Sequence, residues 1–132
     1  MCEQQKKTLL VYGLTEEELA ALTAAGISEG VRCRAVEDTQ TVRTVEELLS
    51  GKAFPPAEPV HLPGKYALMD GFKGCVGRGV ALISGNTKGV IKAMHTKHNS
   101  AWRFADLCAA IQEENDAMVE RLRQKQAVEM TK

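Results

Sequence analysis

Leu10-Val11-Tyr12-Gly13-Leu14 and Leu68-Met69-Asp70-Gly71-Phe72 carry one pattern twice, an apolar run closed by glycine and a further apolar residue, at a spacing of 58 positions. At the same offset Val31-Arg32-Cys33-Arg34-Ala35-Val36 falls on Gly89-Val90-Ile91-Lys92-Ala93-Met94. With one extra residue in the second copy, Val42-Arg43-Thr44-Val45-Glu46-Glu47-Leu48-Leu49 then falls on Ala101-Trp102-Arg103-Phe104-Ala105-Asp106-Leu107-Cys108. The identities are few, but the apolar pattern, the glycine and the order of elements agree. The chain reads as a duplicated half-domain.

Each copy reads β-α-β-α. In the first, Thr8 to Tyr12 is a short buried strand. Thr15-Glu16-Glu17-Glu18 is a capping box, in which the threonine oxygen takes the N3 amide and Glu18 reaches back to the cap amide. Leu14, Leu19, Leu22 and Ala25 supply the inward stripe of that helix, and Gly26 is expected to end it. Val31 to Val36 is the second strand. A short helix runs from about Val42 to Leu49, with Thr41 or Thr44 as its cap and Gly51 beyond it. In the second copy Tyr66 to Met69 and Val90 to Met94 are strands, and a helix-like stretch covers Val76 to Ile83. The capping box is gone there, and Gly74, Gly77 and Gly79 each weaken helix propensity by about 1 kcal/mol relative to alanine, so this helix is short or begins late.

The expected architecture is α/β: two tandem β-α-β-α half-domains packed about a pseudo-two-fold, with about four strands and a long C-terminal helix. The first half spans 1–51, a linker 52–64, the second half 65–111 and a helical extension 112–132. All four prolines, Pro55, Pro56, Pro59 and Pro63, fall in the linker, where they favour an extended, stiff path. In the extension Phe104, Ile111 and Met118 recur every seven residues, interleaved with Cys108, Asn115 and Leu122. This weak heptad has a polar residue at a seam position, a placement that sets register in a dimer, and a solvated helical tail is the alternative.

The chain has 132 residues and no net charge, with 17 basic and 17 acidic side chains. That length buries a real core without a disulfide or metal staple. The charge is unevenly placed. Residues 1–50 carry five basic and nine acidic side chains, net −4, and residues 65–111 carry seven basic and two acidic, net +5. Such halves attract each other, within a chain or between chains, or hold an anion on the second copy; drift of solvated faces is the plainer account. No basic cluster points to nucleic acid, and no apolar run is long enough for a membrane span. The four cysteines, Cys2, Cys33, Cys75 and Cys108, are scattered with no CxxC pair. Met1 to Lys7 leads into a strand-like run instead of a secretory apolar region, so a reducing cytoplasm is the expected setting.

The densest polar segment is His95-Thr96-Lys97-His98-Asn99-Ser100-Ala101-Trp102-Arg103, between a strand end and a helix start. That junction presents amides and a positive dipole end to an anion. Lys73 and Arg78 lie in the glycine-bearing run Asp70 to Gly79, which matches neither GxGxxG nor GxxxxGK[ST]. The candidate ligand residues are therefore His95, Lys97, His98, Asn99, Trp102, Arg103, Lys73 and Arg78. Against this, Asn99 or Ser100 caps the helix and Trp102 packs over the linker. His95 and His98 lack a third ligand at metal-binding spacing, and no nucleophile stands in a triad context. No metal, no cofactor and no catalytic residue is expected.

Gly13-Leu14-Thr15-Glu16-Glu17-Glu18-Leu19 resembles the front, and Ile91-Lys92-Ala93-Met94, Asn99, Trp102 and Leu107 the back, of a small bacterial family of domains of unknown function. Its pattern runs strand, Gly-(Leu/Phe)-(Ser/Thr)-x-x-Glu-Leu helix start, strand, then Asn-x-x-Trp before a final helix. The first copy lacks the Asn and Trp, and the second lacks the Glu-rich start. The resemblance covers most of residues 8–111 and implies a fold without an activity, with Asn99 and Trp102 as positions to watch. Two functions are expected: first a non-catalytic module that binds a partner protein or itself through the C-terminal helix, and alternatively a small-molecule or anion site, open to enzymatic use, in the second half.

Overall fold

The structure, a computed structural model, describes residues 7–51, 55 and 57–130, with side chains through Lys125. The start of the chain, residues 52–54 and Pro56 of the linker, and residues 131–132 lie outside the described residues. The elements run β1 (Lys7–Tyr12), α1 (Glu16–Ser28), β2 (Val31–Ala35), α2 (Val45–Leu49), β3 (Lys65–Asp70), α3 (Val76–Asn86), β4 (Val90–Met94) and α4 (Phe104–Met130). A 3₁₀ turn at Asp38–Gln40 precedes α2.

The four strands form one mixed sheet in the order β2-β1-β3-β4. Each helix-connected pair, β1 with β2 and β3 with β4, is parallel, as a β-α-β crossover requires. The central pair β1 and β3 is antiparallel, with Leu10 opposite Leu68. Lys7 stands beside Val31 and Lys65 beside Val90, so the offset has already reached 59 at β4.

Alternation along the strands gives the sheet two buried faces. Leu9, Val11, Ala67 and Met69 face α1 and α3, where Leu22, Leu82 and Ile83 close one core. Leu10, Tyr12, Tyr66 and Leu68 face α2 and α4, where Val45, Leu48, Phe104 and Leu107 close the other. The result is a sheet between two helical layers. Cys75 belongs to the first core and Cys108 to the second, so the two cysteines lie on opposite faces of the sheet.

Helix starts follow their caps. Thr15 and Thr44 both make complete capping boxes, with Glu18 and Glu47 respectively. Thr41 is instead fully buried and donates its hydroxyl to the carbonyls of Asp38 and Val60. α1 runs past Gly26 to Ser28: Gly26 is buried in its last turn, where a Cβ would lie 2.9 Å from the Val31 carbonyl oxygen. α3 begins only at Val76, after an N-cap, Cys75, whose side chain makes no cap hydrogen bond.

Candidate functional site

Both loops of the second half that carry candidate ligand residues leave the same end of the sheet, after the parallel strands β3 and β4. Asp70 ends β3, and its Oδ1 lies 2.9 Å from Nδ1 of His95. The His95 backbone amide donates to the Met69 carbonyl at 2.8 Å, and its Nε2 is buried without a hydrogen-bond partner. An imidazole held in this way is oriented by the carboxylate.

Asn99 is buried and works as a loop staple. Its Oδ1 accepts the Thr96 amide at 2.8 Å and its Nδ2 donates to the Met94 carbonyl at 3.0 Å. Trp102 donates its backbone amide to the Asn99 carbonyl, and its indole, 37% exposed, lies at a tilt against His98 with ring centroids 5.6 Å apart. Lys97, His98 and Arg103 are exposed, as are Lys73 and Arg78 on the β3–α3 side.

Four described cavities have other linings. One, about 730 Å³, lies beside β2 and includes Lys7, Thr23, Arg32, Cys33 and Asp70. A second, about 330 Å³, runs between Leu62, Tyr66 and the base of α4 at Ala105 and Ala109. The others lie along the end of α4 and at the α3–β4 turn. Of the candidate ligand residues, none lines any of these four. Among the described residues no group of three His, Cys, Asp or Glu side chains is placed to hold a metal ion.

Sequence reading missed two polar centres at the opposite end of the sheet. The Tyr12 hydroxyl donates to Asp38 Oδ1, accepts the Leu62 amide at 2.9 Å, and lies 3.1 Å from Nδ1 of His61. Burial and the bond to Asp38 push the Tyr12 phenol up, and that same bond holds the Asp38 carboxyl below its usual range. Nearby, Glu18 accepts from the Lys65 ammonium at 2.7 Å, the Lys88 amide at 2.8 Å and the Thr15 amide at 3.1 Å. These donors lower its pKa to about 2. The capping box signalled Glu18 as a cap, but nothing local signalled its cationic partner. Both centres use their polar groups on each other, which is the signature of structural anchoring.

Among the described residues, three of the exposed large apolar side chains fall together on the outer part of α4. From Glu113 to Lys125 every side chain is exposed except half-buried Asn115, and this stretch includes Met118 at 55%, Val119 at 44% and Leu122 at 55%. The 27 residues of α4 span about 40 Å at 1.5 Å per residue, so the helix runs well past the sheet it covers. Among the described residues no helix is long and apolar enough to cross a membrane. Comparison with protein-family models, curated proteins and solved structures finds no match to the chain.

Proposed function

We propose that this chain is a duplicated, non-catalytic module that acts by self-association through α4. The observation that carries the reading is the exposed Met118, Val119 and Leu122 face beyond the sheet. It continues the stripe of Phe104, Cys108 and Ile111 that the same helix turns toward its own core. A face that is apolar at coiled-coil spacing and left in water is stabilised by covering it.

Support for the duplication comes from backbone bonds that occur in pairs. Val45 N donates to Trp102 O at 2.9 Å, and Phe104 N to Arg43 O at 2.8 Å. Glu46 N donates to Ser100 O at 3.0 Å, and Ala105 N to Thr41 O at 2.8 Å. In each pair, adding or subtracting 59 converts one bond into the other, the behaviour expected of two halves related by a two-fold axis. The Asn99 to Trp102 segment then has a structural role, joining the starts of α2 and α4.

Ligand binding in the second half has less to carry it, since Asn99 is committed to its loop and the cationic candidates are exposed on separate elements. The test is sedimentation velocity over a wide concentration range. Wild-type protein is expected to shift from monomer toward dimer as concentration rises, and Leu122→Lys to remain monomeric with an unchanged melting temperature. A wild-type monomer at every concentration overturns the reading.

A further inference from the structure

The proposed self-association leaves open how two α4 helices lie on each other, and the charge along the helix decides between the arrangements. Past Ile111 the acidic side chains Glu113, Glu114 and Asp116 come first, and the basic side chains Arg121, Arg123 and Lys125 come later, with Glu120 between them. All of these are exposed. A parallel pair sets acid beside acid and base beside base. It also brings two Lys125 side chains together at a seam position, since Lys125 follows Met118 by one heptad.

Resting on the self-association reading, we propose that the partner of this surface is a second copy of α4 running antiparallel, centred on Glu120. In that register Met118 of each copy packs on Leu122 of the other, alternating around the seam. Asn115 meets Lys125 of the second copy, which gives the seam amide a polar neighbour in place of an apolar one. Glu114 flanks the same lysine, so each dimer gains two intermolecular ion pairs. The arrangement keeps the two sheets at opposite ends of the paired helices, clear of each other. It is isologous and closes at two copies, so it does not propagate into a filament. Among the described side chains of this stretch, Met118, Val119 and Leu122 supply the large apolar contacts of each copy, well below the ~800 Å² per partner of a standard stable interface. The dimer is accordingly a weak, reversible one, sensitive to salt.

The test is a charge-reversal cycle at two exposed positions, Glu114→Lys and Lys125→Glu, read by sedimentation equilibrium of the full chain. Each single variant is expected to weaken the dimer about threefold or more, the scale of exposed ion pairs. The double variant is expected to return to within about twofold of wild type, because the swapped charges again meet with opposite sign. Mixed with tagged wild-type protein, the double variant is expected to form its own dimers and to exclude wild type. A double variant no tighter than the singles, singles that bind like wild type, or preferred mixed dimers each overturn the antiparallel register while leaving self-association standing. Wild-type protein that never dimerises overturns the self-association reading and this one with it.

Discussion

Leu10 on β1 stands directly opposite Leu68 on β3, and the two are 58 positions apart, the same offset that relates the two copies of the sequence pattern. Both are buried, at 1% and 2% exposure, in the core that α2 and α4 cover. Truncating either to alanine removes the same buried surface from the same place in the sheet. Leu10→Ala and Leu68→Ala are each expected to cost about 3 kcal/mol, with the two values close to each other. The double variant should cost less than their sum, because the second truncation enlarges a cavity that the first has opened. Urea unfolding of the three variants measures both effects; strongly unequal single costs would count against equivalent halves.

Glu18 sets an acid limit on stability. Its folded-state pKa of about 2 lies below the ordinary glutamate value of 4.5. The stabilisation it provides is therefore fully present above about pH 4.5 and is lost as pH falls toward 2. Glu18→Gln removes the charge facing Lys65 and leaves one acceptor oxygen where the two carboxylate oxygens accept the Thr15 and Lys88 amides. It is expected to lower stability at pH 7 by about 1 kcal/mol, after allowing for solvent screening. Thermal unfolding followed from pH 7 to pH 3 should show the wild-type and variant curves converging at the acid end. Parallel curves would mean that the Lys65 contact contributes nothing.

The two glycines near the start of α3 separate packing from propensity. A Cβ built on Gly79 would sit 2.7 Å from the Met69 sulfur and 2.9 Å from Phe72 Cδ2, whereas one on Gly77 meets no atom within 4 Å. Both residues lie within α3. Gly77→Ala is expected to raise stability by about 0.5–1 kcal/mol, and Gly79→Ala to lower it by about 1–3 kcal/mol through overpacking. Opposite shifts in melting temperature for the same substitution two residues apart are the expected result.

Local chemistry was the legible part of this chain. Thr15 with Glu18 announced α1, and Thr44 with Glu47 lie within the predicted second helix, because a capping box closes within four residues. The apolar runs likewise announced the four strands, and the heptad spacing announced a long last helix. Gly26 misled because a glycine near a helix end reads as its terminator, whereas this one is small to let β2 approach. Polar partnerships across the sheet were not legible. Lys65 is 47 positions from Glu18, and His95 is 25 from Asp70; each pair forms only once the neighbouring strands are registered. Asn99 reads from sequence as a ligand candidate or a helix cap, and its bonds to Thr96 and Met94, which hold its own loop, are not signalled by either pattern.

The segment from Ala57 to Leu62 is strapped across the sheet end by the Tyr12 hydroxyl and the 3₁₀ turn. Ala57 N donates to Thr39 O at 3.2 Å, Val60 N to Asp38 O at 3.0 Å, and Leu62 N to the Tyr12 hydroxyl at 2.9 Å. Tyr12→Phe keeps the ring, which lies 6.3 Å from the Tyr66 ring and 6.5 Å from that of Phe104, and removes only the oxygen. The buried Leu62 amide then loses its acceptor and Asp38 its donor, an expected cost of about 1–2 kcal/mol. Loss of that anchor should show first as faster proteolysis at residues 57–62, before any change in global unfolding, because a local opening needs less free energy than the whole. The strap is also expected to loosen in acid. The Asp38 carboxyl is depressed in the folded state, so its contribution is present above the ordinary carboxylate range and fades as pH falls through and below it. Limited proteolysis at pH 7 and, with an acid-active protease, at pH 3 or below tests both points: wild type should become more susceptible at the lower pH, and Tyr12→Phe should be susceptible at both.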